Sequence, residues 1–98
     1  MAEKIAQRTL NIGGIRVEAI AWKVQSSGEF PEGIKYRFQA LDEENNHVER
    51  WDNTNDTHGP RHHKHLADGT IEEIEEPPEN RDDIKELLRE FINEVTKK

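Results

Sequence analysis

A histidine-rich segment between residues 50 and 65 holds the side chains with the greatest capacity for chemistry. It contains four of the five histidines of the protein, together with carboxylates and basic side chains; the residues concerned are His58, His62, His63, His65, Asp52, Asp56, Arg61 and Lys64. Imidazole titrates near neutral pH, so it can both accept and donate a proton there. The segment is therefore the predicted functional site.

Side chains alternate along an extended backbone, and this divides the cluster into two faces. His63 and His65 are expected on one face with Arg61, and His62 and Lys64 on the other. Cleavage of an RNA phosphodiester without a metal requires a general base, a general acid and a cation for the phosphorane charge. His63, His65 and either Arg61 or Lys64 could supply these functions.

A second interpretation assigns the same histidines to a metal ion. Neutral imidazole nitrogens and carboxylates bind divalent metals such as zinc. The candidate ligands are His58, His62, His63, His65, Asp52 and Asp56. Spacing alone does not choose between the interpretations, because it matches no strong ligand signature such as His-Glu-x-x-His. The preferred interpretation, acid and base catalysis, requires no cofactor.

Some neighbouring residues have a simpler structural explanation. His47 is expected to be a solvated or hydrogen-bonded residue, and Trp51 a core residue rather than a platform for stacking bases. Asp52 is assigned to catalysis, where it would orient an imidazole. The pair Asp52 and Asn53 is equally typical of a turn that ends a strand, so its role stays open.

The net charge of −7 argues against a protein that simply coats nucleic acid, because such binding depends on Lys and Arg neutralising phosphates. The charge is unevenly distributed. Residues 50 to 65 carry three cations against two carboxylates, which gives +1 there and −8 elsewhere. An anionic ligand is thus expected at the histidine segment, and the acidic stretch from Glu72 to Glu79 is a candidate contact for a basic partner.

The compartment is predicted from what the chain lacks. There is no cysteine, which favours a reducing environment. Met1 to Arg8 mixes both signs of charge and has no apolar stretch of signal-peptide length. No window approaches the roughly 18 apolar residues of a membrane span. The sequence therefore predicts a cytoplasmic protein without membrane contact.

The elements that position the site are predicted to form one α+β domain over residues 1–98. Only 32% of residues are hydrophobic and 36% are charged, which fits a thin core on one face of one sheet. The prediction is an antiparallel sheet of about 4–6 hairpin-connected strands over residues 9–75. Gly13-Gly14 and Asp68-Gly69 are hairpin signals, and Ile34 to Leu41 alternates cleanly. A bulge near Ala19 to Ala21 is preferred to the alternative of a central strand covered on both sides.

A single amphipathic helix is predicted over residues 81–96, packed on one face of the sheet. Pro77-Pro78 stops the preceding element, and Asn80 is placed as the N-cap. The apolar positions form one stripe with a period of 3.6, at Ile84, Leu87, Leu88, Phe91, Ile92 and Val95. Such a stripe is long enough to cover the sheet.

The order of these motifs resembles the TumE-like family of small toxins from prokaryotic toxin-antitoxin systems. The similarity covers roughly Ile34 to Val95 and rests on Tyr36-Arg37-Phe38-Gln39, Arg50-Trp51-Asp52-Asn53, His58 and His62-His63-Lys64-His65. Asp52-Asn53 with the His-x-His ending is its most specific part, and Trp51 stands where tyrosine is common. The resemblance implies a toxin whose toxic surface is masked by a cognate DNA-binding antitoxin.

The combined prediction is a toxin that acts as a His-dependent ribonuclease on RNA. A non-catalytic protein-binding module, with a structural or metal-binding His loop, is the alternative. A metal-dependent enzyme acting on a small phosphorylated substrate is a third hypothesis. Besides the antitoxin and RNA, a second copy of the chain in a homodimer is left open as a partner.

Overall fold

A computed structural model describes residues 3–26, 33–53, 62–74 and 77–97. Within these residues six strands and one helix form: β1 (Glu3–Ile12), β2 (Ile15–Lys23), β3 (Ile34–Leu41), β4 (His47–Asp52), β5 (His63–His65), β6 (Ile71–Glu73) and α1 (Arg81–Thr96). The strands make one antiparallel sheet in the order β1 to β6, so each strand pairs with the next in the chain. The predicted α+β class, with a hairpin-connected sheet and one C-terminal helix, is confirmed.

The turns form where the sequence predicts them. Gly13 and Gly14 have φ angles of 55° and 83°, the left-handed conformation that a tight two-residue hairpin requires at both central positions. Gly69 is also left-handed, with φ 89°, and its turn is closed by the backbone N–H of Leu66, which donates to the carbonyl of Thr70 at 2.9 Å. These glycines connect β1 to β2 and β5 to β6.

The first hairpin differs from its prediction in two respects. The sheet begins at Glu3 rather than near residue 9, and the extra residue is in β1 rather than in β2, since the register shifts between Lys4 and Ala6. The predicted bulge near Ala19 to Ala21 is therefore wrong. β2 is an inner strand that pairs with β3 without a register shift. Its second apolar face, which includes Trp22, is half-buried, and this accounts for apolar residues on both sides of the strand.

The hydrophobic core lies between one face of the sheet and α1. Strand β3 contributes every second residue to it, and the helix contributes the predicted stripe; the buried members of these two elements are Ile34, Tyr36, Phe38, Ala40, Ile84, Leu87, Leu88, Phe91 and Val95. Phe91 contacts both Phe38 and Trp51, with ring centroids 5.9 and 5.2 Å apart. Trp51 is only 2% exposed, so its assignment to the core is confirmed.

The helix begins at the predicted residue because its first turn is capped by side chains. The side-chain oxygen of Asn80 accepts a hydrogen bond from the backbone N–H of Asp83 at 2.9 Å. The carboxylate of Asp83 in turn accepts from the backbone N–H of Glu79 at 3.1 Å. Each bond satisfies an N–H group that has no partner within the helix. In the described part of the chain, no helix is long and apolar enough to cross a membrane.

Candidate functional site

The pairing of β4 with β5 brings the candidate residues together. Asp52 lies opposite His63 and Arg50 lies opposite His65 in the antiparallel register. The pair between them is Trp51 with Lys64, and Trp51 packs on the helix. Because side chains alternate along strands, the four flanking side chains project from the face opposite α1. The site thus stands on two adjacent strands.

Asp52 is the centre of the cluster. Its Oδ1 atom lies 2.8 Å from Nε2 of His63, and its Oδ2 atom lies 2.8 Å from Nε of Arg50. Asp52 is 1% exposed and His63 is fully buried, although both are on the face that the helix does not cover. One carboxylate therefore contacts an imidazole and a guanidinium at the same time.

His65 completes the group at its less buried side. Its ring centroid lies 4.6 Å from that of His63, and the two rings are nearly perpendicular at 79°. His65 is half-buried, whereas His63 is not exposed at all. One potential ligand atom from each of Asp52, His63 and His65 lies within 4.8 Å of the other two. Two imidazoles and a carboxylate thus converge on a small volume.

His62 and Lys64 lie on the helix side of the sheet, as the alternation predicts. Nδ1 of His62 lies 2.9 Å from the hydroxyl oxygen of Tyr36, and the two rings are stacked. Nζ of Lys64 lies 4.4 Å from the centroid of the Trp51 ring, a cation-π contact. Neither side chain faces His63, so the structure does not bring Lys64 to the imidazoles.

Three sequence candidates, His58, Asp56 and Arg61, lie outside the described residues. His47 is exposed, and its Nε2 atom lies 3.2 Å from the backbone carbonyl oxygen of His65. This contact is of the structural kind expected for His47.

Arg50 is a member of the site to which sequence analysis gives no role. Its guanidinium neutralises Asp52, and Arg50 is paired with His65 in the register. Arg50 is therefore the cation beside the histidines, a role that the sequence analysis assigns to Arg61 or Lys64. The signal that could have found it is the spacing of two residues between Arg50 and Asp52, which places both side chains on one face of a strand.

Asn53 anchors the end of β4 to the start of β3. Its side-chain oxygen accepts from the backbone N–H of Tyr36 at 3.0 Å, and its amide nitrogen donates to the carbonyl of Ile34 at 2.7 Å. The residue is fully buried. Asn53 therefore supplies the hydrogen bonds of a strand where the backbone pairing stops, and it fixes the position of the adjacent Asp52.

We expect Asn53→Ala to lower the free energy of unfolding by about 2 to 4 kcal/mol, because two buried backbone groups lose their partner. Urea denaturation followed by circular dichroism measures this change. Asn11→Ala, at an exposed position of β1, is the matched control. A loss within about 0.5 kcal/mol for Asn53→Ala, the range of ordinary surface substitutions, would show that the side chain is not the anchor.

Comparison with known proteins agrees with the arrangement of these motifs. The family model described as Toxin TumE matches residues 2–98. The chain belongs to the TumE toxin family. The match includes the β1 and β2 hairpin, which the resemblance seen in the sequence, from about Ile34 to Val95, left out. No curated protein and no solved structure matches the chain. Membership of a toxin family implies, in general terms, an antitoxin partner.

Proposed function

We propose that this toxin is a His-dependent ribonuclease and that RNA is cleaved at the cluster of Asp52, His63 and His65. The observation that supports the proposal is the contact of a buried carboxylate with His63, directly beside the half-buried ring of His65. A carboxylate that holds an imidazole in a fixed orientation is a recurring part of hydrolytic active sites. In a toxin, such a group could serve to cleave RNA.

Positive charge beside the cluster supports an anionic substrate. Arg50 contacts Asp52 directly, and the exposed Arg37 lies opposite Asp52 in the register of β3 with β4. Side chains of directly paired residues lie about 5 Å apart, so Arg37 borders the site. The charge of Arg50 is offset by Asp52, but the exposed guanidinium of Arg37, on the same face as the histidines, favours contact with the phosphates of RNA, even though the whole chain carries a net charge of −7.

The same charge distribution supports the proposed partner, a cognate DNA-binding antitoxin with a basic surface. Glu72, Glu73 and Glu90 line one depression beside Leu87, and Glu86 and Glu90 line the next one along the helix. Acidic surfaces of this kind speed association with basic partners, and added salt lowers the association rate. We also propose that this complex forms in the cytoplasm, the compartment that the sequence predicts. A homodimer stays a prediction.

The purified, tag-free chain is expected to cleave a labelled single-stranded RNA, and His65→Ala is expected to slow cleavage by about 100-fold or more. Gel electrophoresis of the products, with and without added Zn²⁺ or Mn²⁺, measures the rate. Lys85→Ala removes a lysine at an exposed position of α1, on the other side of the sheet, and is the control that should cleave RNA like the wild type. Intact RNA under all these conditions would contradict the proposal and favour a non-catalytic binding module.

A further inference from the structure

We propose that Asp52, His63 and His65 bind one divalent transition metal ion, such as Zn²⁺ or Mn²⁺. We also propose that this ion is the cofactor of RNA cleavage, and this second part rests on the proposed function. Two imidazole nitrogens with one carboxylate oxygen are a donor set that suits such ions. Catalytic zinc sites commonly have three protein ligands and leave a further position for water or substrate.

The distances between the three candidate ligand atoms are compatible with one bound ion after small side-chain movements. Ligand atoms around one tetrahedral zinc lie about 3.3 to 3.6 Å apart, given zinc to ligand lengths of about 2.0 to 2.2 Å. Asp52 Oδ1 and His63 Nε2 are 2.8 Å apart, and the three ligand atoms lie within 4.8 Å of one another. A small separation of the first pair and an inward rotation of the half-buried His65 ring would bring all three to the ion.

Burial favours a metal centre over direct proton transfer by both histidines. A general base must come within about 2.6 to 3.2 Å of the atom that carries the proton it removes, or act through one water. His63 is fully buried and so cannot contact a polyanion as large as RNA. An ion held by Asp52, His63 and His65 would have its open position on the less buried side of the cluster, where His65 lies. The ion would then polarise a phosphate oxygen or activate a water molecule.

Arg50 is a positioning residue for this site. Its Nε atom lies 2.8 Å from Oδ2 of Asp52, so the other oxygen, Oδ1, is the one that faces the imidazole of His63. Groups that fix a ligating carboxylate in this way help to set the geometry of a metal site. Because Arg50 and Asp52 are two residues apart on β4, the strand itself maintains the contact.

The other described histidines are excluded as ligands by their positions. His62 contacts the hydroxyl of Tyr36 on the helix side of the sheet, and His47 contacts the backbone carbonyl of His65 from an exposed position. The proposal therefore distinguishes two histidines: removal of His65 weakens metal binding strongly, whereas a change at His62, three positions away and on the opposite face, leaves metal binding unchanged.

The test measures metal binding apart from RNA cleavage. The full-length, tag-free chain is freed of metal with EDTA and titrated with Zn²⁺ by calorimetry, and bound Co²⁺ is followed by its visible absorption. We expect one ion per chain and a rise in melting temperature with added Zn²⁺, because the ion binds the folded state. Asp52→Asn and His65→Ala are each expected to weaken binding by more than about 100-fold, since loss of an outer partner already costs about 10-fold to 100-fold.

The matched control is His62→Gln, which keeps polar side-chain atoms near Tyr36 and should bind Zn²⁺ like the wild type. Equal loss of binding in His62→Gln and His65→Ala, or no Zn²⁺ bound by the folded wild type, would overturn the metal site. RNA cleavage that persists in EDTA without bound metal would also overturn the cofactor role, but would leave the ribonuclease intact. Stoichiometric binding without RNA cleavage would support the site and contradict the ribonuclease.

Discussion

Cells that express the His63→Ala, His65→Ala double variant are expected to grow normally under conditions in which the wild-type toxin arrests growth. The variant loses both imidazoles, including the one that contacts Asp52, and keeps the contact of Asp52 with Arg50. The variant therefore lacks both imidazole acid-base groups and two of the three proposed metal ligands. Removal of one acid or base group costs about 100-fold to 10,000-fold in rate, so cleavage by the double variant should fall below the level that limits growth.

Optical density after induction, at protein levels matched by immunoblotting, measures this effect. The control is a Gln7→Ala, Lys23→Ala double variant, in which both substitutions are at exposed sheet positions far from the cluster in the strand order. A cooperative thermal transition of the purified histidine variant shows that it is folded. Growth arrest by the folded histidine variant would place toxicity outside the cluster.

Leu88→Asp is expected to unfold the protein at room temperature. Leu88 belongs to the buried stripe of α1 and is 7% exposed. The substitution removes about 1.5 to 3 kcal/mol of hydrophobic burial and adds the cost of placing a carboxylate in apolar surroundings, which is several kcal/mol. The total stability of a domain of this size is only about 5 to 15 kcal/mol. The loss from this one substitution is therefore a large part of the total stability of the domain.

Thermal denaturation followed by circular dichroism tests this prediction by measuring the unfolding transition of the variant. Asn93→Asp is the matched control, because it introduces the same residue and the same charge at an exposed position of the same helix. We expect Asn93→Asp to keep a transition close to that of the wild type. A cooperative transition of Leu88→Asp near the wild-type midpoint would show that α1 does not depend on this contact.

The elements that depend on local sequence could be predicted well. The helix over residues 81–96 has the predicted bounds because its cap, Asn80, and its apolar stripe are both local signals. The Gly13-Gly14 hairpin is of the same kind. The start of β1 at Glu3 could not be predicted, because residues 3–8 mix charged and apolar side chains. Pairing with β2, a tertiary interaction, makes them a strand.

Only the part of the candidate site that depends on side-chain alternation within one strand could be predicted from the sequence. That rule places His63 and His65 together and separates them from Lys64, in agreement with the register. It does not show that β4 pairs with β5 so that Asp52 faces His63. This register depends on the pairing of two strands that are separated by residues 53–62. The role of Arg50, which contacts Asp52 beside the histidines, follows from the same pairing.

The order of the strands has a consequence for how the chain reaches its native state. Since β1 to β6 pair in sequence, the sheet can grow by one hairpin at a time, and each step closes a short segment of chain. Closure of short segments costs little entropy, and proteins dominated by near-neighbour contacts fold faster than those with distant pairings. A denatured sample is therefore expected to refold rapidly for a sheet protein.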